Sequence, residues 1–140
     1  LEKSIDMTSE VTYLGDLRAT SVHLSSGTVI ITDAPVDNHG KGEAFSPTDL
    51  VATALANCML TVMGIGAQGR GIDMDGAQVS INKIMAANPR RISRIEATFT
   101  FPDKSFTVEE KKILEHIALT CPVAKSLHPD IEQAITFVWP

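Results

Sequence analysis

The chain has 140 residues, 44% of them hydrophobic and only 5% aromatic, which suits a globular domain whose core is built from Val, Ile, Leu, Met and Ala. Seventeen acidic residues against twelve basic give a net charge of −5, which argues against nucleic acid, because phosphates need a concentrated basic surface. Two cysteines are too few for a secreted disulfide framework.

The start of the chain lacks a cationic segment running into an apolar one, so no signal peptide is expected. Leu1–Asp6 reads as a remnant left by cloning ahead of a native start at Met7, so that one domain spans 7–140. From Val11 to His23 the alternation of Val11, Tyr13, Leu17 and Ala19 predicts a strand interrupted near Gly15-Asp16. Ser25-Ser26-Gly27 is a turn, and Thr28–Thr32 the returning strand of a hairpin. Asp33 to Glu43 is dense in turn formers and reads as a loop.

Ser46-Pro47-Thr48-Asp49 predicts a helix start: Ser46 caps, Pro47 suits the first helical position, and Asp49 completes a capping box. Leu50, Ala54, Cys58 and Val62 then recur at helical spacing beside a stripe of Val51, Leu55, Met59 and Met63, and Gly69 to Gly71 ends the helix. Leu50 to Ala67 carries no charge, the minimum for a membrane span. Thr53, Asn57, Thr61 and two glycines make it only weakly lipophilic, so a helix buried on most sides is expected and no membrane.

Val79 and Ile81 open another strand, Asn88-Pro89-Arg90 makes a turn, and Ile95, Ala97, Phe99 and Phe101 alternate with polar residues. A second helix opens at Thr107 with Glu109 and Glu110 in its first turn, and Ile113, Leu114, Ile117 and Ala118 form its apolar face. Cys121-Pro122 starts a short third helix stopped by His128-Pro129, and Ala134–Trp139 reads as a closing strand. Strands, then helix, then strands and helices give an α+β order with segregated layers.

Chemistry rests on the two thiols. A free cysteine is only about 3% thiolate at neutral pH, and attack on an oxidant needs the thiolate. Cys121, at a helix N-cap, faces unpaired backbone N–H groups and the positive end of the dipole, so on local sequence it is the more reactive thiol. Cys58 lies some three turns inside its helix and needs a cation from elsewhere. Both cysteines also fit as small buried hydrophobes. His39, His116 and His128 do not combine with them into a compact zinc spacing, so no metal is expected. A Cys–His hydrolase with His116 or His128 as base stays open, and Met59 and Met63 read as core filling.

The run FSPTDLVATALANCML (Phe45–Leu60), followed later by CPVAKSL (Cys121–Leu127), resembles the OsmC/Ohr family of thiol-dependent hydroperoxide reductases, more in its OsmC-like branch. The resemblance extends over nearly the whole chain, including the N-terminal hairpin with Arg18. It implies an intertwined homodimer with two long central helices wrapped by sheets, and active sites at the subunit interface. It further implies that Cys58 is the peroxidatic thiol and Cys121 the resolving one, reversing the local ranking. Arg18 would supply the missing cation and steady charge on the peroxide oxygen. The glutamate that the family carries after the helix-start proline, which orients the arginine, is Thr48 here; Glu43 or Asp49 could substitute. The implied activity is reduction of organic hydroperoxides to alcohols through a Cys58 sulfenic acid and a Cys58–Cys121 disulfide, with inorganic hydroperoxides open as further substrates. An external dithiol would reduce that disulfide, with no cofactor, in the cytoplasm. The rival expectation is a non-catalytic dimeric module that binds a lipophilic or acyl ligand.

Overall fold

The computed structural model describes residues 7–140, so the expectation for Leu1–Asp6 lies outside the described residues. The fold is α+β, with two main helices and two three-stranded sheets. Two compact units divide between Leu50 and Val51.

The first unit is a meander of β1 (Ser9–Gly15), β2 (Arg18–His23) and β3 (Val29–Asp33), all antiparallel. The interruption expected near Gly15-Asp16 is a complete reversal. Asp16 and Leu17 both take left-handed backbone angles (φ 54° and 62°), the combination a tight two-residue hairpin turn needs for its twist to match the strands. The reversal makes Arg18 the first residue of β2, and the β2–β3 register sets it opposite Asp33, the last of β3. A loop with one 3₁₀ turn (Val36–Asn38) follows. It closes on itself at Gly40, whose absent Cβ would fall on the Ala34 carbonyl, so no larger residue fits there. Val11, Tyr13, Val29, Ile30 and Ile31 stay exposed on the sheet.

Helix α1 (Pro47–Gln68) opens with the predicted capping box. The Ser46 hydroxyl accepts the Asp49 N–H at 3.1 Å, and an Asp49 carboxylate oxygen accepts the Ser46 N–H at 3.0 Å. In the second unit, β4 (Gln78–Ala86) and β5 (Arg91–Thr100) form an antiparallel hairpin, and β6 (Glu132–Val138) joins β5 in parallel. The alternation of β5 turns Ile95, Ala97 and Phe99 into the core, where Leu55, Met59 and Met63 of α1 are fully buried. Helix α2 (Val108–Leu119) is held at its start by a Thr107–Glu110 capping box and contributes Leu114 and Ala118. Gly66 lets α1 approach α2 closely: a Cβ there would stand 2.5 Å from the Ile117 Cδ1. Helix α3 (Pro122–Ser126) is a single short turn.

The few aromatic residues are concentrated. Phe99 stacks on Phe137 at 4.8 Å between ring centroids, and Phe101 on Trp139 at 3.7 Å. The Trp139 indole N–H donates to a Glu115 carboxylate oxygen at 2.8 Å, tying the end of the chain to α2.

The long helix is less enclosed than its sequence suggests. Helix α1 is not buried on most sides within the chain. Leu55, Met59 and Met63 are at zero exposure, whereas Val51 is 39% and Ile65 66% exposed and Ala54 is also open. The β4–β5–β6 layer covers one face of a helix that is apolar nearly all round. Its buried face makes α1 a core helix although its length and apolarity would also match a membrane span.

Candidate active site

Cys58 and Cys121 are brought together within the second unit. Cys121 is 1% exposed, and its Sγ caps α3 by accepting the Ala124 N–H at 3.4 Å, as the sequence Cys-Pro predicted. Cys58, half-buried on α1, is its neighbour, and both are free thiols.

Burial works against the activation expected of Cys121 from its place at the helix cap. The cap N–H groups of Ala124 and Val123 do favour a Cys121 thiolate. Removal from water outweighs them, and the hydrogen bond with Cys58 adds to the same effect, so the Cys121 pKa is raised. The Cys121 thiol is thereby pushed away from the thiolate form beside the Cys58 sulfur. A helix cap activates a thiol only where water can also reach the charge, and here it cannot.

Arg18 sits in the first unit in a cluster of carboxylates. Its Nε donates to Asp33 Oδ1 at 2.6 Å, and its Nη2 donates to Asp33 Oδ2 and to Glu43 Oε1, both at 2.8 Å. Asp33 is 1% exposed and also accepts the Glu43 backbone N–H at 3.0 Å. The hydrogen bonds from Arg18 hold the Asp33 carboxyl below its ordinary range, and those to Asp33 and then Glu43 raise the Arg18 pKa, so the guanidinium is charged at any working pH. Of the two carboxylates expected near Arg18, Glu43 is on it; Asp49 places an oxygen on the Ser46 N–H in the helix cap.

Asp33 was not singled out by the sequence, where it reads as the first residue of a loop. Counting outward from the Ser25–Gly27 turn would have found it, since the register that pairs Val22 with Val29 also pairs Arg18 with Asp33. The depressed Asp33 pKa has a consequence for stability. A group lowered on folding stabilises the fold above its unfolded value, and that contribution is lost as pH falls through the folded one. The melting temperature of the native protein should exceed that of Asp33→Asn most above about pH 5, with the gap closing on acidification below about pH 4. A gap independent of pH would contradict the ion pair.

His116 and His128 are exposed, and the His128 Nδ1 accepts the Asp130 N–H at 3.0 Å. Among the described residues no group of three or more His, Cys, Asp and Glu side chains could hold a metal ion.

Comparison with known proteins identifies the family and the fold. A family model described as OsmC-like protein matches residues 40–135. The crystal structure of a Psychrobacter arcticus 273-4 protein, assigned to osmotic stress induction and a detoxification response, is 55% identical with a TM-score of 0.91, over 94% of this chain and 96% of that one. An organic hydroperoxide resistance protein from Elizabethkingia anophelis, with thiocyanate bound, shares the fold at 16% identity and a TM-score of 0.74, over 96% and 97% of the two chains. A Legionella pneumophila organic hydroperoxide resistance protein shares it at 14% identity and a TM-score of 0.72, over 94% and 97%. No curated protein matches the sequence. The chain belongs to the OsmC-like protein family.

Proposed function

We propose that the chain is a thiol-dependent peroxidase that reduces organic hydroperoxides to alcohols. The observation that carries this reading is that the two free thiols are neighbours, with Cys121 buried at the start of α3 and Cys58 the more open of the pair, which suits Cys58 to the attack. The Cys58 thiolate attacks the O–O bond and takes one oxygen as a sulfenic acid, and the alkoxide leaves with a proton as alcohol. Cys121 then displaces water from that sulfur, closing a Cys58–Cys121 disulfide. An external dithiol restores both thiols by exchange and is itself oxidised. Arg18 acts as the cation that stabilises the thiolate and the charge developing on the peroxide oxygen.

The chain works in this reading as one OsmC-like domain over 7–140, in an intertwined cytoplasmic homodimer. Support for the dimer comes from apolar side chains left exposed in the single chain, among them Tyr13 and Ile30 on the first sheet and Ile65 on α1. The charge-free stretch of α1 that carries Cys58, with Val62 one turn further along the same face, favours alkyl hydroperoxides over hydrogen peroxide. The same exposed apolar residues favour a second reading, a dimeric carrier of a lipophilic ligand whose cysteines are incidental.

Turnover separates the two. With a dithiol present, purified protein should consume cumene hydroperoxide at least about tenfold more efficiently than hydrogen peroxide, a difference of about 1.4 kcal/mol in transition-state binding. Absence of turnover, together with a lipophilic molecule retained through purification, would select the carrier.

A further inference from the structure

The two carboxylates on Arg18 are unlike in every respect that decides how well they can hold it. Asp33 closes β3 directly opposite Arg18, its own N–H is bonded to the Phe45 carbonyl at 3.1 Å, and it is 1% exposed. Both its oxygens are engaged, side by side, with the Nε and Nη2 of one guanidinium edge. Glu43 makes a single contact to Nη2 from a loop, with its side chain 64% exposed. A paired, buried contact to a planar fork fixes its orientation, whereas an exposed single ion pair contributes little and holds geometry weakly. Asp33 also takes the Glu43 backbone N–H, so the placement of Glu43 itself depends on Asp33. The Nη1 group of Arg18 has no partner among the described residues.

We propose that Asp33 is the positioning residue of Arg18: it locks the Nε–Nη2 edge to the strand and leaves Nη1 as the donor available to a peroxide oxygen, with Glu43 as a secondary contact. The role of Arg18 toward peroxide rests on the proposed peroxidase function. The locking of Arg18 by Asp33 does not, and it has its own readout.

That readout is the Arg18 Nε–H signal in nitrogen-15 NMR, identified by its disappearance in Arg18→Lys. In the native protein and in Glu43→Gln this proton should exchange slowly with water; in Asp33→Asn exchange should quicken at least about tenfold, as expected on losing a hydrogen bond to a charged group. Kinetically, Asp33→Asn should lower kcat/KM for cumene hydroperoxide about ten- to a hundredfold, against less than about fivefold for Glu43→Gln. Should Asp33→Asn fail to fold, acid titration of the native protein replaces it, with loss of Nε–H protection expected to follow protonation of the Asp33 carboxyl carbon signal. Protection that survives in Asp33→Asn, or through that titration, overturns the inference, as does protection lost in Glu43→Gln alone. A native protein that shows the protected proton but no peroxide turnover refutes the peroxidase reading and leaves Asp33 as the residue that positions Arg18.

Discussion

Replacing Cys58 by serine is expected to lower kcat/KM for cumene hydroperoxide by about a thousandfold or more. A serine hydroxyl is not ionised near neutral pH, and its oxygen cannot carry a transferred oxygen as a sulfenic acid does. The partner variant behaves differently. Cys121→Ser keeps the attacking sulfur and loses only the group that closes the disulfide, so it should complete one turnover and stop with a sulfenic acid on Cys58. Trapping that acid with dimedone would read out the arrest. The contrast follows from the placement of the two thiols: Cys121 is buried at the start of α3, where burial pushes its pKa up, and Cys58 is half-buried on α1. Equal and complete loss of the first turnover in both variants would assign the attack to a two-thiol unit and contradict the division of roles.

Phe99→Ala should cost about 3–5 kcal/mol of stability, the usual range for emptying a fully buried phenylalanine site. Phe99 has zero exposure, lies on the central strand of the second sheet, and stacks on Phe137 at 4.8 Å and Phe101 at 6.3 Å. The neighbouring rings of Phe137 and Phe101 are themselves held in the same stack, so refilling the space would disturb their packing. Differential scanning calorimetry should show a fall in Tm of roughly 10 °C or more. A loss below about 1 kcal/mol would mean that the site collapses around the deletion, which a packed interior resists.

Local chemistry was legible wherever it determined structure locally. Ser46-Pro47-Thr48-Asp49 capped α1, Thr107 and Glu110 capped α2, Cys121-Pro122 opened α3, and the alternation through Ile95, Ala97 and Phe99 named the buried face of β5. What escaped depends on partners distant along the chain. Leu17 takes a left-handed conformation with no glycine or asparagine to announce it, so the first hairpin looked like a broken strand. Asp33 resembled any loop aspartate until strand register set it against Arg18. Cys121 looked activated because a cap is visible in sequence and burial is not. On α1, Leu55, Met59 and Met63 face the core while Val51 of the same stripe and Ala54 of the other do not, a choice made by the sheet and α2.

The proposal turns on whether the two sulfurs exchange two hydrogens for a bond when peroxide arrives. Mass spectrometry of the unreduced protein after one equivalent of cumene hydroperoxide measures this directly. A loss of about 2 Da, mapped by peptide analysis to a Cys58–Cys121 bridge and reversed by dithiol, is the predicted result. An unchanged mass with both thiols still alkylatable, while the fold is intact, would contradict it.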